Sequence, residues 1–539
     1  MPRDMVQVRR PQRHVYRAPE ARIGRSQFNR SHGLKTTFDA SRLVPFFCDE
    51  VLPGDTMTLG VNGFVRIFSP LDAPVMDNIE CDWHFFFVPN RLVWDNWQYF
   101  QGEHDDAGAQ DTSYTVPVLA SGMTVDHDNG TAAANFLAYW GLPHGLQTGQ
   151  VSVNCLPMRG YNLIYNEWFR DQNVTDSVTV DTGNGPDPSG EFALRKSFKK
   201  HDYFTTVLPY LQKGTAEVAV LTPESAEVTS PSGVAVGGAP SVYSDNVGAY
   251  RLLDADMAQV DLSGTAGSSS TVLYADLTDV GVNINTLRQS LAIQRSLERD
   301  ARGGTRYTEI IKSRFGVTVP DYRVQRPEYL GGGSCWINIT PVANQSDIGS
   351  ATSASGADQY QGKLHGIGTG VMRGGGFAKS FTEHGYIIGI IRARGDLTYF
   401  QGLDRMWSRS TRYDFYEPDL AHLGEQSVLN KELFISNSSG TDDAVFGYQE
   451  RWAEYRTKKS MLTGKFNPDV TGALSHWHVA EDFASLPTLN STFLQDQTPM
   501  SRVTTVTTEP DFVADVWFEY KCARPLPVFS IPSIMPLRF

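Results

Sequence analysis

The chain has 539 residues and a net charge of −13; 40% of its residues are hydrophobic, 20% are charged, and glycine (48) and proline (29) are plentiful. That composition excludes global disorder and favours short strands and turns over long helices. No apolar run reaches the roughly 20 residues of a membrane span, the N-terminus lacks the apolar stretch of a secretory signal, and five scattered cysteines without CxxC spacing (Cys48, Cys81, Cys155, Cys335 and Cys522) read as reduced thiols. The length exceeds the roughly 100–200 residues of one domain, yet no linker divides it. One large β domain with long excursions and two or three smaller domains both remain open.

Residues 1–35 carry nine bases, Arg3, Arg9, Arg10, Arg13, Arg17, Arg22, Arg25, Arg30 and Lys35, against Asp4 and Glu20, a net of +7. The remaining chain has 38 bases and 58 acids, a net of −20. Guanidinium forks suit phosphate oxygens better than ammonium does. Tyr16, Phe28, His14 and His32 are interleaved and suit stacking on unpaired bases. The nine bases are therefore the candidate nucleic-acid-binding residues, and the plain alternative is a solvated tail.

From residue 36 the texture changes. Met57–Phe68 and Glu80–Val88 are rich in aromatic and β-branched residues and bounded by Pro53-Gly54, Pro70 and Pro89, so both are predicted strands. Tyr161–Asp171, with Leu163, Ile164 and Trp168 at helical spacing, is a predicted helix. Gly214–Asn285 is a 72-residue insertion dominated by small residues, with nine acids and one base, Arg251. Ile284–Arg302 predicts a helix apolar on two sides, hence wedged between other elements, and ended by Gly303-Gly304. Gln345–Ser380 is glycine- and serine-rich and reads as a long surface loop.

Tyr386–Phe400 predicts a strand buried at one end. Phe446–Arg456 predicts a short aromatic helix. In Val513–Ala523 both alternating phases carry apolar residues, which predicts a strand with protein on both faces. Strands near both ends of the chain suit a closed antiparallel sandwich whose first and last strands are neighbours. Arg524–Phe539 has four prolines, two arginines and no acid, and reads as an extended tail whose Arg524 and Arg538 form a weaker basic patch.

Candidate chemistry is thin. Gly374–Ser380 (GGGFAKS) lacks the glycine that a phosphate loop places before its lysine, since Ala378 stands there. The run Gly366, Gly368, Gly370 lacks dinucleotide-binding spacing. If His476 and His478 share one face of a strand, they form, with Glu481 and Asp482, the best metal candidate; a packed aromatic segment is the alternative. His201-Asp202-Tyr203 has no activated nucleophile beside it. No catalytic residue, metal site or cofactor is predicted.

Several long segments resemble one family. Ser31–Thr56 leads into Pro70–Glu103, followed by Leu156–Asn173, Phe198–Gly214, Arg326–Gly333 and Phe446–Arg456. Together they resemble the major capsid protein of the Microviridae, with the large insertion after His-Asp-Tyr-Phe similar to the gokushovirus type. Leu211 departs from the proline expected there. The resemblance implies a mainly β fold: one eight-stranded antiparallel jelly roll with very long inter-strand loops and a few short helices. It implies a T=1 icosahedral homo-oligomer with pentamer and threefold contacts around circular single-stranded DNA. It also implies minor viral proteins (pilot and DNA-packaging) and a host-surface receptor as partners, assembly in a bacterial cytoplasm, and residence in the virion.

The organisation expected is a DNA-contacting interior arm (1–35), a shell domain in two parts (36–213 and 286–523), a protrusion (214–285) and the tail (524–539). Within the insertion, Val234–Val236, Val242–Tyr243 and Tyr250–Leu253 are the expected contacts between copies. A jelly-roll metal enzyme or lectin using His476 and His478 is the competing class.

Overall fold

The computed structural model describes residues 24–103, 113–127, 132–211, 228–229, 241–244, 249–252, 274–275, 284–302, 325–345 and 362–529. Its frame is antiparallel. The strands are β1 (Ser26–Asn29), β2 (His32–Phe38), β3 (Val44–Val51), β4 (Thr56–Ile67), β5 (Ile79–Pro89), β6 (Val228–Thr229), β7 (Ser241–Ser244), β8 (Ala249–Leu252), β9 (Tyr274–Ala275), β10 (Glu328–Ala343), β11 (Leu364–Arg373), β12 (Phe377–Ser380), β13 (Gly385–Gly395), β14 (Glu425–Leu429), β15 (Val445–Glu450) and β16 (Phe512–Arg524).

Ten of these strands form the barrel, in the order β1-β16-β4-β11-β10-β5-β13-β3, with β2 also on β16 and β12 also on β4. β1 and β2 are one strand position interrupted at Arg30-Ser31, and β11 and β12 another, so eight positions remain. They fall into two four-stranded sheets: β2-β16-β4-β11 and β3-β13-β5-β10. The chain crosses from one sheet to the other at every connection except β5 to β10, which is the jelly-roll winding. β10 joins the sheets, because Glu328–Ile337 pairs with β5 and Asn338–Ala343 pairs with β11.

The first and last predicted strands are direct neighbours, β4 and β16, with Phe512 opposite Ile67 and Ala523 opposite Thr56. The four predicted strands shift by only one residue at most ends. The exception is the third: the strand stops at Gly395, and Ala393 and Gly395 are buried like Ile387, so it is covered along its whole length.

The core lies between the sheets. Phe46, Phe47, Phe85, Phe518 and Tyr520 make tilted and edge-on ring contacts at 5.0–5.8 Å, each worth about 0.5–1.5 kcal/mol beyond area burial. A second core lies on the outer face of the β3-β13-β5 sheet. There Phe86, Val88, Ile388 and Ile390 pack against Leu156, Met158, Tyr161 and Ile164 of a helix, Leu156–Ile164. This explains the unbroken apolar run of β5: Trp83, Phe85 and Phe87 face one core, and Phe86 and Val88 face the other. The helix starts five residues before the predicted Tyr161, with Pro157 in its first turn, and runs into a wider turn at Tyr165–Phe169.

Four readings of the sequence are corrected. Gln345–Ser380 contains β11 and β12. The inward positions of β11 are Gly366, Gly368 and Gly370, where a Cβ would meet Ile67 at 2.4 Å or Leu71 and Ile337 at 3.1–3.4 Å, so glycine marks close packing there. Phe446–Arg456 begins as strand rather than helix. Val445–Glu450 pairs with β14, Trp452 adopts φ 65°, and only Ala453–Arg456 is helical. A partner strand some twenty residues upstream overrides the helical spacing. β16 is covered on one face only: Ala514, Val516, Phe518 and Tyr520 are buried, whereas Asp515, Trp517, Glu519 and Lys521 are exposed. The helix Ile284–Arg302 has the predicted bounds, but Leu291 and Ile293 are exposed rather than wedged.

The chain divides into two compact units, Met1–Pro209 with Pro320–Phe539, and Tyr210–Val319. In the second unit, β6 pairs with β9 and β7 with β8, with Val242 opposite Arg251 and Tyr243 opposite Tyr250. Val234–Val236 and Leu253 lie outside the described residues.

Candidate nucleic-acid interface

Of the nine candidate bases, Arg3, Arg9, Arg10, Arg13, Arg17 and Arg22 lie outside the described residues, as does Arg538. Arg25, Arg30 and Lys35 lie on the barrel, because the chain joins β16 at Ser26, inside the stretch expected to be an arm. Arg25 donates to the Gly54 carbonyl at 3.2 Å and to Thr56 Oγ1 at 3.0 Å. Arg30 forks onto Asp49, with Nη2 to Oδ1 at 2.8 Å, and lies over the Tyr520 ring. Burial opposes its charge, but the Asp49 carboxylate outweighs this and raises its pKa. Lys35 reaches Asp515 at 3.4 Å with both side chains exposed, a pair worth about 0–1 kcal/mol. Arg524 is committed too, donating Nε to the buried Asp55 at 3.0 Å and also bonding the Glu50 carbonyl.

A second group of cations lines a cavity of about 460 Å³ on the outer face of the other sheet. Arg392 and Arg394, two apart on β13, point the same way and meet Asp82 of β5 at 2.7 and 3.3 Å, with His84 at 3.5 Å. Burial opposes ionisation of Asp82, and hydrogen bonds from His84 and Arg392 overcome it, holding the carboxyl well below its ordinary range. Burial and the neighbouring Arg392 lower the pKa of Arg394. Lys200 meets Glu80 at 2.7 Å and Asp396 at 3.2 Å, and Lys199 meets Glu481 at 3.2 Å. Each cation of this cavity therefore has a carboxylate behind it. The signal in sequence is an Arg-x-Arg on a strand facing a Glu-x-Asp, which reasoning by segment missed.

The remaining motifs resolve as packing. Ser475–Trp477 is a tight helical turn, so His476 and His478 do not share a strand face as the metal reading required. His478 is buried, its Nε2–H donates to the Phe466 carbonyl at 2.8 Å, and its Nδ1 accepts from the Ala480 amide. Burial lowers its pKa. Gly374 and Gly375, at φ 73° and 65°, turn the chain between β11 and β12, and Lys379 pairs with Glu328. Asp202 accepts from the Phe204 and Thr205 amides, and Tyr203 donates to Glu432 at 2.9 Å. No helix among the described residues is long and apolar enough to cross a membrane.

The family model described as capsid protein (F protein) matches residues 17–534. The chain belongs to that family. It is 41% identical over 531 residues to capsid protein VP1 of Bdellovibrio phage phiMH2K, covering 96% of each chain. It is 39% identical over 593 residues to capsid protein VP1 of Chlamydia phage 1, again with 96% of each covered. It is 30% identical to that of Spiroplasma virus 4, covering 95% of this chain and 96% of the relative. The resemblance to the Microviridae capsid protein of gokushovirus type is thereby established. This capsid protein is a structural component of the virion and not an enzyme.

Proposed function

We propose that this capsid protein assembles as the T=1 shell around a single-stranded DNA genome, with its basic N-terminus toward the DNA and residues 214–285 as a host-facing protrusion. The observation that carries the reading is the separation of function along the chain. The barrel is complete without the insertion, which enters and leaves through the single connection between β5 and β10. Nine acids in the insertion repel packaged DNA, and six arginines before residue 24 attract it. Small residues bury little apolar area, so copies of the insertion support one another about a threefold axis. Minor viral proteins and a host-surface receptor are the further partners of this reading.

Replacing residues 220–280 by a short Gly-Ser linker tests it. Loop-closure entropy changes by only about 0.6 kcal/mol per doubling of length, so the barrel should fold and particles should form under electron microscopy. Particles that assemble and package single-stranded DNA but no longer adsorb to host cells support the proposal. Loss of the folded subunit places the insertion in the core and overturns it.

A further inference from the structure

On the outer face of the β2-β16-β4-β11 sheet, unlike its counterpart, the outward residues of β4, β11 and β16 are largely exposed and no helix among the described residues of this unit packs on them. The pairing places side chains there in rows. Lys35, Asp515, Phe64 and Val371 lie across one row, and Gly33, Trp517, Asn62 and Arg373 across the next. Trp517, Phe64 and Val371 are 50%, 44% and 53% exposed, an uncommon state for large apolar groups on one sheet. The Trp517 ring rests on Gly33, where even a Cβ would touch it at 3.4 Å, so the indole has a flat seat. Diagonal positions on neighbouring strands lie roughly 7–8 Å apart, which suits successive unstacked bases.

The charges on this face differ from those of the cavity. Arg66, Arg373 and Lys521 have no carboxylate partner among the described residues, while Lys35 holds Asp515 and Asn62 donates to Glu519. Four cations face two carboxylates on a chain whose body is strongly acidic. A surplus of cation beside exposed rings fits single-stranded nucleic acid, and it disfavours the same face of a second copy by like-charge repulsion. The basic residues 1–23 join the chain at the edge of this sheet, since β1 pairs with Lys521–Arg524.

We infer that this sheet face is a second DNA site, in which Trp517 and Phe64 stack on unpaired bases and Arg66, Arg373 and Lys521 hold the adjoining phosphates. The inference rests on the genome-enclosing reading above. The test is the affinity of the full-length chain for a fluorescent oligothymidylate across a salt series. Trp517→Ala should weaken binding roughly tenfold with the salt slope unchanged, because stacking carries no charge, and Trp517→Phe should restore most of it. The double variant Arg66→Gln/Arg373→Gln should reduce the log–log salt slope by roughly 1.4. Oligonucleotides carrying 5-iododeoxyuridine should crosslink to Trp517 or Phe64.

If Trp517→Ala binds like the parent while Arg9, Arg10, Arg13 and Arg17 changed together to Gln lose affinity, the genome reading stands and the sheet site falls. If Trp517→Ala blocks assembly but leaves oligonucleotide binding intact, the face is a contact between copies and the inference is wrong. If neither variant changes binding and purified particles hold no DNA, the underlying reading fails with it.

Discussion

The two sheets of the barrel differ in what lies on their outer faces. On β5 and β13 both faces are buried, one against the opposite sheet and one against the helix Leu156–Ile164. On β16 and β4 only alternate residues are buried. The covered sheet has its cations matched by carboxylates, as at Asp82 with Arg392 and Arg394; among the described residues, Arg66, Arg373 and Lys521 of the exposed sheet have no carboxylate partner. A face that the chain itself covers must satisfy every charge internally, because unpaired burial is costly. A face left bare can hold both rings and cations for something else.

The contrast should be sharpest in stability. Trp83 is fully buried between the sheets and donates its indole N–H to the Gly375 carbonyl at 3.0 Å. Trp83→Ala should cost about 3–5 kcal/mol in urea unfolding of the subunit; a loss below about 1 kcal/mol would mean that the two sheets do not depend on this core.

The helix lid comes next. Arg159 is buried, donates Nε to Asp187 at 2.7 Å, and reaches the carbonyls of Val93 and Gly183 at 2.9 Å. Asp187 is also buried. Arg159→Ala leaves that carboxylate without its cation and should cost about 3 kcal/mol, with loss of amide-exchange protection over 156–164. Unchanged protection there would show that the lid is held by its apolar face alone.

A smaller effect is expected at the edge of the bare sheet. Burial, with Asp39 adding to it, pushes the Asp511 carboxyl up to about 6 against an accepted hydrogen bond from the Ala40 amide. The folded state then holds a proton that the unfolded state has lost between roughly pH 4 and 6. Its contribution is therefore favourable below pH 4 and is lost as pH rises through 6. Asp511→Asn should flatten the stability profile across that window, and an unchanged profile would assign the slope to other groups.

The smallest change is the most telling. Trp517→Ala on the bare face should shift stability by less than about 0.5 kcal/mol, as surface substitutions do. A loss of several kcal/mol would mean that the indole is part of the barrel's packing after all. Together with Trp83→Ala it compares one residue type on the inside and outside of the same barrel.

Much of this protein was legible in the sequence because its signals are local. Pro- and Gly-bounded aromatic runs located β4 and β5 to within a residue, and apolar patterning located β16 as closely and the start of β13 though not its end at Gly395, since alternation and punctuation are properties of a few neighbouring side chains. The split between a basic start and an acidic body needed only counting, and long ordered segments were enough to indicate the family. The tertiary structure decided what depends on partners distant in the chain. Glycines at 366, 368 and 370 read as a loop, yet Leu71, Ile67 and Ile337 fill the space a Cβ would need there. The segment at 446–450 became a strand because β14 lay beside it, and the Arg30 side chain met Asp49. The phases of β16 also looked alike in sequence, for a valine or a tryptophan does not declare which side the opposite sheet will occupy. Only the closure of the barrel, which buries one phase and leaves Trp517 and its neighbours outside, fixed that choice.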